Sequence, residues 1–192
     1  MRKNFGLILA LLFCGLTFFT KAQIVVPGGI VTDSTQFSAA FGDQFEIRHN
    51  AMFNRYELLL TDDILLDTTL TLASGHYTIL SQDTTRHIYP NKNLLNLIEI
   101  AEGATLWSNY TNQAMDSTHL IFSGNYNDSL YCSLSIITTT SLNLLISPFS
   151  IIENYTGAGS AIISFGNTSI DDAILRNNYS FANGGALSIL DG

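Results

Sequence analysis

From Tyr56 onward the chain alternates apolar and polar residues at a period of two. Leu58 and Leu60, Ile64 and Leu66, and Leu70 and Leu72 hold the apolar positions, with Thr and Asp recurring around them. Such alternation predicts short strands that bury one face. Upstream the period changes. Asp33-Ser34 offers a helix cap, Phe37, Ala40 and Phe41 follow at helical spacing, and Gly42 is the stop. A short helix over residues 35–41 is predicted there, preceded by a leading loop over 25–32 that contains Pro27-Gly28-Gly29. No stretch after Phe41 shows helical periodicity. Bundles and doubly wound α/β sheets are therefore poor candidates, since both need long helical runs.

The strand pattern also echoes itself. Asn154-Tyr155 recurs as Asn178-Tyr179 at an offset of 24, and Gly159-Ser160-Ala161-Ile162 recurs as Gly184-Gly185-Ala186-Leu187 at an offset of 25. Leu70-Thr71-Leu72-Ala73-Ser74-Gly75 matches Ile98-Glu99-Ile100-Ala101-Glu102-Gly103 at an offset of 28. An apolar residue followed three positions later by Asn-Tyr occurs at Phe122, Ile151 and Leu175, with spacings of 29 and 24. Leu106 to Tyr110 also fits, but lies too close to Phe122 to be a turn of the same coil. Repeats in the twenties, rich in β-branched residues, predict a coil of stacked strands. At roughly 24 residues per rung the chain would hold about seven rungs. Asn125, Asn154, Asn178, Gly159, Gly184 and Gly185 are the expected corner positions, because Asn and Gly tolerate the dihedrals of sharp turns. The polar stretch 82–93, which carries Pro90, reads as a protruding loop.

The expected fold is thus all-β: a parallel β-helix over 56–192, led in by residues 23–55 with the helix as a cap on its open end. Residues 1–22 form a separate unit. Arg2 and Lys3 precede a nearly unbroken apolar run from Phe5 to Phe19, and Thr20-Lys21-Ala22 supplies small residues before a cut. That is the layout of a secretory signal peptide. The run is shorter than the ~20 residues of a spanning helix, so no transmembrane segment is expected in the mature chain. Without the signal, five basic residues remain against 16 acidic ones, a formal charge of −11. Such a surface repels nucleic acid and anionic lipid. Cys132 is then the only cysteine, so no internal disulfide is expected, and its apolar neighbours make it a buried hydrophobe.

Phe122-Ser123-Gly124-Asn125, with Ile151 to Asn154 and Leu175 to Asn178 as aliphatic variants, followed by Gly184-Gly185-Ala186-Leu187, resembles the repeat of the polymorphic outer membrane proteins. Gly159-Ser160-Ala161-Ile162 departs from it at the second glycine. The clear matches run from Phe122 to Leu187; residues 56–108 resemble the looser pectate-lyase-like pattern. The resemblance implies a right-handed parallel β-helix of adhesin or autotransporter type, secreted or held at the cell outer membrane, whose loops contact a host-surface or matrix glycan or protein. Surface attachment would need sequence beyond Gly192.

Two expectations compete with this reading: a purely structural spacer, and a polysaccharide-active enzyme (pectin lyase- or hydrolase-like) on the same scaffold. A hydrolase needs two carboxylates facing each other across a sugar bond, and Asp171-Asp172 and Asp62-Asp63 are the candidate pairs. Neighbours on a strand point to opposite faces, so neither pair converges automatically. A lyase needs a basic residue near calcium, and Arg176 is the only basic residue in the last 100. His49, His76, His87 and His119 show no ligand spacing, so no metal or cofactor is expected. Asn109, Asn127, Asn154, Asn167 and Asn178 begin Asn-x-Ser/Thr triplets, which composition alone accounts for.

Overall fold

The computed structural model describes residues 23–81, 84–109, 118–140, 144–147, 149–182 and 184–190. The expected signal, residues 1–22, lies outside them. Among the described residues the protein is almost entirely β, with one helix, and no helix is long and apolar enough to cross a membrane.

The strands arrive in circuits. The first contains β1 (Gln23–Val26), β2 (Gly29–Val31), the helix α1 (Ser34–Phe41), β3 (Glu46–Asn50) and β4 (Arg55–Leu60). The second is β5 (Asp63–Leu66), β6 (Leu70–Leu72) and β7 (Gly75–Ser81); the third is β8 (Arg86–Pro90), β9 (Leu94–Ile100) and β10 (Ala104–Ser108). The fourth adds β11 (Leu120–Ser123), β12 (Asn125–Tyr126), β13 (Leu130–Thr139) and β14 (Leu144–Ile146). The fifth runs through β15 (Ser150–Glu153), β16 (Thr156–Gly157), β17 (Ile162–Ser164) and β18 (Thr168–Ile170), and the sixth through β19 (Ile174–Arg176), β20 (Tyr179–Ser180) and β21 (Leu187–Ile189).

The first five circuits visit the same three sheets in the same order, and the described part of the sixth visits the first two of them. Sheet A is β1-β5-β8-β11-β15-β19, sheet B is β2-β6-β9-β13-β17-β21, and sheet C is β3-β4-β7-β10-β14-β18. All neighbours along these paths are parallel except the hairpin pair β3 and β4. The register places like on like. In sheet A, Ile24, Ile64, Ile88, Phe122, Ile152 and Leu175 lie in one row across the six strands. In sheet B, Leu70, Ile98, Ile137, Ile162 and Leu187 do the same. These rows meet in a single apolar core, where Ile64, Phe122, Ile152, Ile98 and Ile137 are fully buried. Each such side chain contributes about 1.5–3 kcal/mol of transfer free energy.

The helix forms where its pattern predicts, one residue longer at its start. Asp33 Oδ1 accepts the Gln36 N–H at 2.9 Å, and Gly42, at φ 79°, closes the last turn by donating its N–H to the Ser38 carbonyl. Phe37 and Phe41 are fully buried, with the Phe37 ring 4.5 Å from that of Tyr77. The helix therefore fills the core at the end bounded by the edge strands β1, β2 and β3.

Four details differ from the sequence-based expectations. The leading loop at 25–32 is a corner between strands: β1 and β2 flank Pro27-Gly28 and already pair with β5 and β6. The stretch 82–93 contains β8, a central strand of sheet A, with residues 82 and 83 outside the described set. Ile88 and Pro90 are the buried residues of that strand, while His87 and Tyr89 are only half-buried, so the apolar signal is one aliphatic residue and a proline. Pro90 is tolerated because it ends the strand, and the next N–H, of Asn91, donates to the Leu66 carbonyl at 2.8 Å. Among the described residues the circuits number six rather than about seven, because their lengths vary. The step from Gly29 to its neighbour Leu70, across α1 and β3, is nearly twice as long in sequence as that from Tyr56 to Tyr77.

The Asn-Tyr echo is the fourth difference. It is one residue out of structural register: Phe122 lies beside Ile152 and Ile152 beside Leu175, so Asn154 stacks on Asn177 and not on Asn178. Aligning Ile151 with Leu175 would put an outward residue beside an inward one, and a one-residue slip turns a whole strand inside out. The Leu70 and Ile98 echo and the Ile162 and Leu187 echo match the observed registers. Leu106, by contrast, belongs to sheet C and not to the sheet A row of Phe122.

One corner is held by a buried amide. Asn109, at φ 48° and 1% exposed, accepts the Ser81 N–H at 2.9 Å and donates to the carbonyls of Thr118 and Phe149 at 3.2 and 3.0 Å. Asn109→Ala would orphan these groups and place alanine in the left-handed region, for a loss of about 2–5 kcal/mol in urea denaturation. Corner glycines make a second test. A Cβ on Gly157 would sit 2.6 Å from the Ser133 carbonyl oxygen, and one on Gly185 2.7 Å from that of Asn178. Gly157→Ala and Gly185→Val should each cost about 1–3 kcal/mol or more. Asp171→Asn, on the exposed surface, should stay within about 0.5 kcal/mol of the parent.

Candidate functional site

In the fourth, fifth and sixth circuits the corner between sheets A and B is widened. The fourth circuit inserts a hairpin there: β12 pairs antiparallel with the start of β13, Asn125 opposite Tyr131 and Tyr126 opposite Leu130. Its turn holds Asn127 and Asp128 at φ 55° and 56°. Asn and Asp accept that left-handed geometry better than other side-chain-bearing residues, which is why the chain reverses here. The next two circuits repeat the device singly, with Asn154 at φ 57° and Asn177 at φ 54°. The Asn177 amide donates to Asn154 Oδ1 at 3.3 Å, and Asn154 Nδ2 donates to Ser123 Oγ at 3.5 Å. Beyond them β16 and β20 pair in parallel, Thr156 beside Tyr179.

These residues enclose a groove. One part, about 360 Å³, is lined by Asn125, Asn127, Asp128, Asn154, Thr156 and Asn177. The adjoining part, about 430 Å³, is lined by Asn125, Asp128, Tyr131, Thr156 and Phe181. The two share Asn125, Asp128 and Thr156. The rim is aromatic: Phe181 is 72% exposed and Tyr131 43%, and Tyr179 meets Phe181 edge to face with ring centroids 5.6 Å apart. A phenylalanine left this far in water forgoes most of the roughly 1.5–3 kcal/mol that burial would give. Asn125 Oδ1 is screened from solvent and has no hydrogen-bond partner among the described residues. An unsatisfied buried acceptor of this kind costs about 1–3 kcal/mol until something donates to it.

Charge is sparse. Among the described lining residues Asp128 is the one carboxylate, and none is Lys or Arg. Arg176, which precedes Asn177, is bound to Glu153 of the adjacent strand at 2.6 Å. The floor beneath is rigid. Tyr155 is fully buried, its hydroxyl donates to the Leu134 carbonyl at 2.5 Å and accepts the Gly159 N–H at 2.9 Å. Asn178 turns inward, accepting the Tyr155 N–H at 3.1 Å and donating to the Ile152 carbonyl at 2.9 Å.

Of the corner residues singled out in the sequence, Asn125 and Asn154 therefore line the groove, while Asn178, Gly159, Gly184 and Gly185 support the chain behind or beside it. Asn127, Asp128, Asn177, Thr156, Tyr131 and Phe181 escaped the repeat pattern, although the Asn177-Asn178 doublet would have shown Asn177 had the inward apolar rows set the alignment. Asp171 and Asp172 lie elsewhere, exposed at the corner between β18 and β19, with Asp172 at φ 48° as a turn residue. Asp63 is buried and accepts the His87 N–H at 3.0 Å, whereas Asp62 is only half-buried. Asp62 and Asp63 thus meet different surroundings, whereas Asp171 and Asp172 share one exposed turn. Among the described residues no group of three His, Cys, Asp or Glu is arranged to hold a metal ion.

Comparison with family models, with characterised proteins and with solved structures finds no match to this chain.

A buried thiol and a half-buried phenol weaken this fold at high pH. Burial pushes the Cys132 thiol from its ordinary value of 9.0 up to about 12. Burial, reinforced by the Asp63 charge, likewise raises Tyr89 from 10.0 to about 12. Both groups are raised on folding and neutral when protonated. Their contribution is fully present below pH 9 and is lost as the pH climbs from about 9 to about 12, because the unfolded chain ionises first. Urea midpoints should hold between pH 7 and 8.5 and fall steadily above pH 9. Cys132→Ala should remove the part of the slope that begins near pH 9, and the native thiol should resist alkylation at pH 8 until denaturant is added.

Proposed function

We propose that this chain is a right-handed parallel β-helix, secreted or held at the cell surface, which works as an adhesin-like or passenger-type binding scaffold. The observation that carries this reading is the groove. It is built from corner residues on three successive circuits, and its exposed aromatic rim and unpaired amide have no role in holding the core. Cyclic visiting of sheets A, B and C with stacked rows of like residues supports the coil. The resemblance of the Asn and Gly-Gly-Ala corners to the polymorphic outer membrane protein repeat supports the handedness and the surface setting. A stack of this kind grows along one axis, so each added circuit lengthens a stiff body and repeats the same corner on its flank. Binding residues placed at that corner are displayed in a line.

The proposed compartment rests on Arg2-Lys3, the apolar run and the Thr20-Lys21-Ala22 boundary. Fractionation of producing cells, with protease accessibility on intact cells, tests it. The protein should appear outside the inner membrane, and deletion of residues 2–22 should retain it in the cytoplasm. Cytoplasmic location of the full chain would overturn the reading.

A further inference from the structure

We infer that the groove binds a neutral saccharide, with Phe181 as a stacking face and the side-chain amides of Asn127, Asn154 and Asn177 reading its hydroxyls. This inference rests on the binding-scaffold reading and names the ligand class of the same corner. An amide offers two donors and an acceptor with two lone pairs, so a row of amides can meet groups that both donate and accept. Sugar hydroxyls are such groups. Asn125, whose Oδ1 has no partner among the described residues, stands in the same wall. Thr156 adds a hydroxyl on the same wall.

The aromatic rim supplies the complementary half. One face of a pyranose is largely C–H, and such a face covers a flat ring that water solvates poorly. Phe181 lies at the edge of the second part of the groove with its ring mostly exposed, braced edge-on by Tyr179. Spacing fits as well. Neighbouring rungs stand about 4.8 Å apart, so amides on three circuits span roughly 10 Å, the scale of a short oligosaccharide. The joined volume falls in the usual range for small-ligand sites.

Charge decides between neutral and acidic sugars. A uronate or sulfated glycan needs a cation, and the basic group nearest in sequence, Arg176, is already bound to Glu153 at 2.6 Å. Asp128 in the wall and the −11 of the mature chain oppose an anionic ligand both at contact and at long range. A peptide is a poorer fit. Extended peptides bind by adding a strand to an open sheet edge, whereas this corner presents side chains.

Affinity electrophoresis of the full chain through gels containing neutral polysaccharides (β-glucan, galactomannan, xylan, galactan) or polygalacturonate tests the inference. Retardation is expected with at least one neutral polymer and not with polygalacturonate. Phe181→Ala should weaken that binding by about fivefold. Asn177→Gly, which removes the amide but keeps the left-handed turn, should weaken it by about threefold. Asp171→Asn, on a different corner, should bind like the parent, and circular dichroism melts confirm that each variant is folded. Lack of retardation across the neutral panel, stronger binding to polygalacturonate, or parental affinity in folded Phe181→Ala would each overturn the inference. None of these results alters the localisation measurement, so the ligand class and the surface reading fail separately.

Discussion

Everything in this protein depends on the register between strands of successive circuits. Ile64 beside Ile88, Phe122 beside Ile152 and Ile98 beside Ile137 are fixed by main-chain pairing that allows no half-steps. A shift of one residue would expose the apolar row and bury its neighbours. Circuits can nevertheless gain residues, because only the strands are constrained and the corners absorb insertions. The helix and antiparallel hairpin of the first circuit, and the β12–β13 hairpin of the fourth, are such insertions; after the latter the register of β13 on β9 shifts between Cys132 and Ser135, and the inward row resumes at Ile137.

Corners carry the second constraint, which is to turn the chain without leaving buried polar groups unpaired. The solution differs from corner to corner. Asn109 folds its amide inward and joins three circuits. Asn178 does likewise behind Tyr155. Asn154 and Asn177 adopt similar left-handed backbone angles but leave their amides at the surface, bonded to one another. The same residue type therefore builds either a brace or a groove wall. Which one results depends on whether the amide meets backbone groups or solvent, and that is decided by the neighbouring circuit.

This division also explains why the groove and the core coexist cheaply. Tyr155, Gly157 and Gly159 form a close-packed floor, so the side chains above need no further support. Phe181 and Tyr131 stand exposed on that floor at little cost to the rest of the fold. Asp171 and Asp172 form an exposed turn at a corner without an inserted hairpin.

Much of the architecture was legible in the chain itself. Alternation at period two marked the strands of the second circuit, Asp33 and Gly42 marked the ends of the helix, and the offsets of 28 and 25 matched true registers in sheet B. These features are local, or repeat as short apolar blocks, so they survive in one dimension. Strand β8 was hidden because its buried positions are one aliphatic residue, Ile88, and a proline, and the Asn-Tyr echo misled because identity of residue type is not identity of position. Even so, all-β character and a stacked repeat followed from the order of residues alone. The groove did not. Its walls come from Asn125 to Asp128, Asn154 to Thr156 and Asn177 to Phe181, three segments each a full circuit from the next along the chain. Only the parallel stacking of three circuits brings them to one corner and separates the inward Asn178 from the outward Asn177.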